Sequence, residues 1–385
     1  MYDNLLFQNR LTSLLTQEVQ TASFPPGVLF HGPARSGKLT VALETARALS
    51  CDKTAEWSCS CPACRLHRTL DYPDLFLTGN KNFLPEILAG SQLLLTRPSE
   101  ARRFFLIRAV KKLLKRFDPL LWEGDEAKLK SAWNHLEALN DLLETLYPPT
   151  PIPEAAQLEL LLPKIETASQ ALVKVLPGSG IPIQQVRRLS AWARGTSTQK
   201  AKFVILENAD KMQESARNAL LKILEEPPKG TYFMLLTSQK GAILPTILSR
   251  VRALSLVERT SAEQQQLLST LFHVPTGEVP DLVSYFQAFE TDKQGGFEAL
   301  AETFYTSLTS PVYPFDEQAK FWAEEDNFTA FLQALVKPLA SAQPPVREPD
   351  RMFRLIQETS TRRDQFNLSA SLLIETLFYR TRQIQ

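Results

Sequence analysis

The sequence lacks the features that mark secreted, membrane-spanning or strongly nucleic-acid-binding chains. No run of about 18 uncharged apolar residues occurs, and residues 1–10 lack the basic and then apolar layout of a secretory signal. The net charge is only +1, with 43 Lys and Arg against 42 Asp and Glu, so the whole molecule has no field that implies DNA binding. We therefore expect a soluble cytoplasmic protein without a membrane contact, whose contacts with DNA are local or shared with partners.

Cysteine is scarce, and its four copies occupy one short segment as Cys51, Cys59, Cys61 and Cys64. A disulfide-stapled secreted chain of this size would not show that clustering. Four thiolates suit a tetrahedral Zn²⁺, and without an open coordination position the metal would be structural. The spacing is irregular, because one residue rather than two separates Cys59 from Cys61. The alternatives are free buried thiols, and His67 as a substitute ligand.

Hydrophobic periodicity predicts an α/β domain followed by helices. Three β-prone runs, 28–30, 202–206 and 232–236, read as buried parallel strands, and helical patterns at 41–49 and 214–225 alternate with them. The stretch from about 80 to 177 has helical periodicity interrupted by a Pro-rich turn at 147–153, which indicates a helical insertion. After Leu256 the pattern is helical and divides into two units.

The segment Gly32-Pro33-Ala34-Arg35-Ser36-Gly37-Lys38-Leu39-Thr40 follows the first strand and opens a helix, as a phosphate-binding P-loop requires. Backbone N–H groups would cradle phosphates and Lys38 would neutralise them. Leu39 stands where Ser or Thr normally holds Mg²⁺, and Thr40 is rotated by about 100° around the helix. The pattern therefore favours phosphate binding over hydrolysis, with ATP or ADP held weakly or without a well-held metal.

A second motif follows the strand at 202–206. An active P-loop ATPase would place an Asp for Mg²⁺ and then a Glu that activates water at this point, whereas this chain has Glu207 and Asn208. Asn208 cannot act as a base, and Glu207 alters the geometry that octahedral Mg²⁺ demands. The alternative is that Glu207 and Asp210 only solvate and cap a strand-to-helix junction.

Two further features are basic. Arg250 follows the third strand within the run 246–250, and an Arg presented at such an edge can enter a neighbour's ATP site. The stretch 102–117 is basic and amphipathic, and it would either touch DNA phosphates or an acidic partner or, as we favour, form an insertion helix with solvated charges.

Taken in order, these residues resemble the clamp-loader branch of AAA+ proteins, and within it the DNA polymerase III delta-prime family, over residues 5 to about 256. The resemblance rests on the P-loop, the cysteine cluster after its helix, and the runs 72–75, 183–187, 218–228 and 249–250. Ser249-Arg250 looks like the family's Ser-Arg-Cys motif, with Val251 in place of Cys. The gamma/tau subunits keep a hydroxyl residue after the P-loop Lys and an Asp-Glu pair, so Leu39 and Asn208 favour delta-prime.

The resemblance implies an α/β AAA+ domain at 1–256 with a zinc module at 51–64, a helical lid at 257–310 and a collar at 311–385 that joins subunits into a ring. It implies a component of the polymerase III holoenzyme with little or no ATPase of its own, which lends Arg250 to an adjacent gamma/tau subunit. Its partners would be gamma/tau, delta, the sliding clamp and, through the assembled complex, primed DNA. The insertion at 80–177 has no role in the family pattern.

Two other readings remain open from the sequence. The chain could itself be a gamma/tau-like motor that binds Mg-ATP through Lys38 and Thr40, although Leu39 and Asn208 argue against it. It could also be a zinc-stabilised DNA-binding or scaffold protein on a degenerate P-loop frame, using the basic stretch 102–116. The near-zero net charge argues against that reading.

Overall fold

The computed structural model describes residues 1–79, 83–176, 180–197, 199–290, 294–308, 325–340, 344–366 and 368–383. The chain divides into two units, Met1–Phe289 and Glu290–Gln385. The predicted lid-to-collar boundary at 310–311 and the outer limits of the predicted insertion, 80 and 177, lie outside the described residues. The first unit also contains residues 257–289, and the assignment of lid and collar domains stays a prediction.

The first unit is built on a five-stranded parallel sheet. Its strands are β1 (Gly27–His31), β2 (Leu75–Thr78), β3 (Lys202–Leu206), β4 (Thr231–Thr237) and β5 (Arg252–Ser255), in the spatial order β2-β3-β4-β1-β5. The three predicted strands are confirmed as β1, β3 and β4, and all of their pairings are parallel. The α/β fold predicted from the alternating pattern is therefore present.

Helices cover both faces of this sheet. They are α1 (Asn9–Gln20), α2 (Lys38–Ser50), α3 (Pro62–Arg68), α4 (Leu84–Thr96), α5 (Glu100–Leu114), α6 (Pro119–Trp122), α7 (Glu126–Glu144), α8 (Ala155–Val175), α9 (Ile183–Arg194), α10 (Glu214–Glu225), α11 (Pro245–Leu248), α12 (Ser261–Leu267) and α13 (Leu282–Gln287). Because successive strand residues point to opposite faces, β3 sends Phe203 and Ile205 to the core under α2, and Val204 and Leu206 to a second, larger core. Burial on both faces explains why the central strands read as unbroken apolar runs.

The predicted helical insertion consists of α4 to α8, with the long helices α7 and α8 joined across the Pro-rich turn. Leu139 and Leu143 of α7 and Leu158 and Leu162 of α8 are almost fully buried in the larger core. A capping box, in which Glu154 accepts from the backbone of Gln157 and the Gln157 side chain accepts from the backbone of Glu154, begins α8. The hairpin is therefore integrated with the α/β domain.

The second unit is helical in its described residues. Its helices are α14 (Gln294–Ser307), α15 (Glu325–Val336), α16 (Pro349–Phe366) and α17 (Ala370–Arg382). Phe304, Phe331 and Phe378 form edge-to-face pairs in a core of their own. Across both units, none of the helices in the described residues has the length and apolarity needed to cross a membrane.

Candidate functional site

The candidate P-loop joins β1 to α2, as the sequence predicted. Gly32 and Gly37 adopt φ values of +154° and +101°, which residues with a Cβ rarely adopt. A Cβ on Gly32 would lie 2.6 Å from the carbonyl oxygen of Leu256, and one on Gly37 would lie 2.7 Å from Leu5 Cδ1. Both glycines are therefore required for the close approach of the loop to its neighbours.

The amine of the loop lysine is bonded to the loop itself. Lys38 Nζ donates to the carbonyl oxygens of Gly32 at 2.9 Å and Pro33 at 2.6 Å. The guanidinium of Arg259 approaches from the other side and donates to the carbonyl oxygens of Arg35, at 3.1 Å, and of Ser36, at 3.0 Å. A bound phosphate would have to replace the carbonyl partners of Lys38.

The mouth of the loop still suits an anion. Burial lowers the pKa of His31 at the end of β1, and the charges of Lys240 and Lys38 lower it further. The Ser36 hydroxyl is buried and has no hydrogen-bond partner among the described residues. A phosphate group would be attracted by these positive charges and would accept a hydrogen bond from the Ser36 hydroxyl. The residues of the loop therefore fit a nucleotide phosphate.

The same residues do not fit a magnesium ion. Leu39, at the usual hydroxyl position, is 8% exposed and belongs to the apolar core. Glu207 follows β3 as predicted, but its buried carboxylate forms an ion pair with the buried guanidinium of Arg116. Asn208 turns the chain at a left-handed φ of 52°. The Glu207 carboxylate is thus neutralised by a cation of the protein.

The sequence does not reveal Arg116 as the partner of Glu207. Its only sequence signal is that it lies in the basic stretch 102–117, and no local pattern records the contact with Glu207. Asp210 makes a different contact from the predicted cap of a strand-to-helix junction: its carboxylate accepts from the Thr237 hydroxyl at the end of β4. The second motif therefore holds strand ends together.

The four cysteines converge in the structure. Cys51 Sγ lies 3.6 Å from Cys59 Sγ and 3.8 Å from Cys61 Sγ, and all four sulfur atoms, including that of Cys64, lie within 4.8 Å of one another. Thiolates around a zinc at about 2.3 Å would be about 3.8 Å apart in a tetrahedron. The one-residue spacing between Cys59 and Cys61 is therefore compatible with a site of four sulfur ligands.

Hydrogen-bond donors and burial act on these thiols in opposite directions. Arg47 donates to Cys64 Sγ at 3.3 Å, and the backbone N–H of Lys53 donates to Cys51 Sγ at 3.3 Å, yet burial raises the pKa of both thiols. Burial also opposes ionisation of Cys61, but hydrogen bonds led by the backbone N–H of Cys64 lower its pKa to about 7. The donor set, its burial and its geometry fit a structural metal such as zinc.

His67 is a packing residue in this structure. Its Nε2 lies 2.9 Å from the Ser50 hydroxyl, and its ring stacks on Tyr72 with centroids 4.0 Å apart. Burial, followed by the charges of Arg47 and other cations, lowers its pKa to about 3. The possibility that His67 replaces a cysteine ligand is therefore wrong for this geometry.

Arg250 lies at the surface just beyond α11. Its guanidinium bonds Glu225 at the end of α10, with Nη2 2.5 Å from the carboxylate, and the carbonyl oxygen of Thr246 at 2.8 Å. The side chains of Arg250 and Glu225 are 31% and 50% exposed. Such an exposed ion pair contributes only about 0–1 kcal/mol to stability. The guanidinium can therefore exchange Glu225 for another anion at a small cost in free energy.

A model of the family described as DNA polymerase III, delta subunit, matches residues 7–119 and 159–260, more than half of the chain. The chain belongs to this family. Its curated relatives include the DNA polymerase III subunit delta' of Haemophilus influenzae, 32% identical over 24% of this chain and 33% of that protein. The subunit delta' of Bacillus subtilis is 34% identical over 24% of this chain and 29% of its own length.

These alignments span about a third of the length of the curated relatives. Among solved structures, a DNA polymerase III gamma subunit-related protein of Thermotoga maritima aligns with 60% of this chain and 90% of its own, at 20% identity and a TM-score of 0.32. A TM-score of that size does not assign a fold. Membership of the delta family rests on the sequence match alone.

The family match covers part of the predicted insertion of this delta-family member. Residues 80–119 and 159–177 fall within the match, so the unmatched stretch is 120–158, which holds α6, α7 and the Pro-rich turn. Most of the predicted insertion at 80–177 therefore lies within the family match, and residues 120–158 lie outside it.

The basic side chains of the stretch 102–117 have partners within this delta-family member. Arg103 pairs with Glu100, Lys112 with Glu86 and Arg116 with Glu207. The remaining bases also have internal partners, namely carbonyl oxygens for Arg102, Arg108 and Lys115 and Asp71 for Lys111. The favoured reading predicted an insertion helix with solvated charges, whereas these charges are bonded within the protein and the helix lies within the family match.

Proposed function

We propose that this chain is a non-motor, delta-prime-like subunit of a bacterial clamp loader. It would assemble with gamma/tau and delta subunits and help a sliding clamp onto primed DNA in the cytoplasm. Membership of the delta family and relatives named subunit delta' support this assignment. The observation that carries it is the combination of an exposed Arg250 with a P-loop domain that does not fit magnesium.

Among the described residues, the P-loop and the second motif offer no set of ligands for magnesium, which argues against intrinsic hydrolysis. Phosphoryl transfer depends on a metal that bridges the β and γ phosphates and on a group that positions water. Here Leu39 is buried, Glu207 is paired with Arg116, and Asn208 replaces the usual base. We infer that ATP or ADP, where it binds, is held by Lys38 and the loop and is turned over slowly.

The position of Arg250 supports a role in trans. Its guanidinium lies at the surface and is held by one exposed carboxylate, Glu225. A γ-phosphate of a neighbouring subunit carries more charge than that carboxylate and would compete for the guanidinium at small cost. An arginine supplied in this way stabilises the charge that develops during phosphoryl transfer.

Zinc in the cysteine cluster would have a structural role. Four sulfur ligands leave no open coordination position, so the metal would supply cross-linking rather than chemistry. Cys51 at the end of α2 and Cys64 in α3 would be joined through it. That cross-link would fix the end of the helix that begins at the P-loop.

The test is the steady-state ATPase of the chain alone and of a mixture with gamma/tau, delta and clamp. The account expects the chain alone to be nearly inactive, and Arg250→Ala to lower turnover in the mixture because one ATP site loses its arginine. Lys229→Ala, which removes another exposed cation of the same unit, is the control and should behave as wild type. Vigorous hydrolysis by the isolated chain would make it a gamma/tau-like motor instead.

A further inference from the structure

Helix α7, which lies in the unmatched stretch 120–158, forms one wall of an open groove. Helix α7 contributes Trp133, Leu136 and Glu137, and helix α5 with the loop before β2 forms the opposite wall. Two adjoining cavities of about 300 and 500 Å³ share Asp71, Lys111 and Asn140 and make this groove continuous. We call it the α5–α7 groove.

The floor of the α5–α7 groove is apolar and carries an exposed aromatic side chain. Leu70 and Phe117 are buried beneath it, and Leu114 is half-buried. Trp133 is 50% exposed, and its indole N–H donates to Glu137 at 2.8 Å, which fixes the ring on the helix. A large, ordered and half-exposed indole is the kind of side chain that anchors protein contacts.

The rim of the groove has a net negative charge. Its carboxylates outnumber its two lysines, Lys111 and Lys115, and are those of Asp71, Asp118, Glu137 and Glu144. Lys111 pairs with Asp71 at 2.9 Å, and Lys115 donates to two backbone carbonyl oxygens. Glu137 and Glu144 have no ion-pair partner among the described residues that line it. An anionic ligand such as DNA is therefore repelled, and a cation is favoured.

We propose that the α5–α7 groove docks an extended, basic segment of a partner protein, in which an Arg or Lys neighbours an aliphatic or aromatic residue. The apolar residue would contact Trp133 and Leu136, and the cation would pair with Glu137 or Glu144. From 133 to 144 helix α7 rises about 16 Å, the length of about five residues in extended conformation. An Arg guanidinium also stacks favourably on an indole.

The test begins with a displayed library of random decapeptides selected on the full chain. Trp133→Ala serves for counter-selection, and because its side chain is half-exposed the variant should fold, which circular dichroism checks. The expected result is enrichment of peptides that place a basic residue within two positions of an apolar one. No enrichment over the variant, or enrichment of acidic peptides, overturns the proposal.

An enriched peptide, labelled with fluorescein, is then titrated with the chain by fluorescence anisotropy. Trp133→Ala is expected to weaken binding about tenfold or more, and Glu137→Gln with Glu144→Gln to weaken it and reduce its salt dependence. Leu160→Ala, which changes a side chain that is 71% exposed on α8, is the matched control and should bind as wild type. Equal affinities for all variants contradict the proposal, as does an oligo-dT strand that binds in a Trp133-dependent way. The experiment uses the chain alone, so its outcome does not depend on the proposed role of Arg250.

Discussion

Arg116 and Glu207 are 91 residues apart in the sequence, and their side chains meet in the protein interior. Glu207 stands where the motif of an active ATPase would place a magnesium ligand, and here its carboxylate is paired with a buried cation of the protein. Glu207 and Asn208 could be recognised as unusual from the sequence, because they depart from a short pattern. Arg116 could not, because no local pattern records a contact between distant segments.

Removing one member of the Arg116–Glu207 ion pair should lower the stability of the folded chain. Arg116→Met is expected to lower the free energy of unfolding by about 3–5 kcal/mol, because it leaves the Glu207 carboxylate buried without a counter-charge. Adding Glu207→Leu should recover much of that loss. Urea denaturation of both variants measures this, and a double variant that is no more stable than Arg116→Met would contradict the ion pair.

His67 should make stability depend on pH. Burial lowers its pKa from the ordinary value to about 3 in the folded chain, so between pH 6.5 and 3 the unfolded chain binds the extra proton. Stability should therefore fall as the pH drops through this window, with a contribution of up to about 1.4 kcal/mol per pH unit.

His67→Gln should remove this contribution, whereas His135→Gln, which changes an exposed residue of α7, should keep it. Denaturation midpoints between pH 7 and 5 provide the comparison. Identical pH profiles for wild type and His67→Gln would show that the buried imidazole is not the source.

At the scale of elements, the buried strands were predictable and the short ones were not. β1, β3 and β4 are apolar on both faces and so give unbroken runs, whereas β2 has four residues and only one residue of β5 is buried. The cysteine cluster was predicted as a site, but its convergence across the one-residue spacing depends on the fold of α2 and α3. The α5–α7 groove had no sequence signal, since its walls come from separate segments.

The hairpin of α7 and α8 should contribute to the stability of the first unit. Leu139→Ala removes a fully buried side chain from the larger core and is expected to lower the free energy of unfolding by about 2–5 kcal/mol. Leu160→Ala, on the exposed face of α8, should change stability by less than about 0.5 kcal/mol. Chemical denaturation followed by circular dichroism checks both. Equal effects would mean that the hairpin is not packed as described.

The cysteine cluster should bind one metal ion per chain. Cys61→Ser is expected to lose bound zinc, because it removes one of four ligands, whereas Ser60→Ala, beside it and exposed, should retain zinc. Elemental analysis of both purified proteins measures the content. Zinc in the two variants at the same ratio, or none in wild type purified with zinc present, would contradict a four-cysteine site.

At the scale of the whole molecule, part of the chain matches the delta family and part does not. The match covers the P-loop, the cysteine cluster, the second motif and Arg250, while residues 1–6, 120–158 and 261–385 lie outside it. The features that argue against hydrolysis and the exposed arginine thus both lie in the part shared with the family. The central claim is that this chain serves an ATPase ring without being its motor.

Clamp loading tests that claim most directly. A labelled sliding clamp is loaded onto primed circular DNA by gamma/tau and delta, with no further chain, with wild type, or with Arg250→Ala. The account predicts that efficient loading requires the chain and that Arg250→Ala lowers its rate by about tenfold or more, while Lys229→Ala does not. Full loading without the chain, or an unchanged rate with Arg250→Ala, would contradict it.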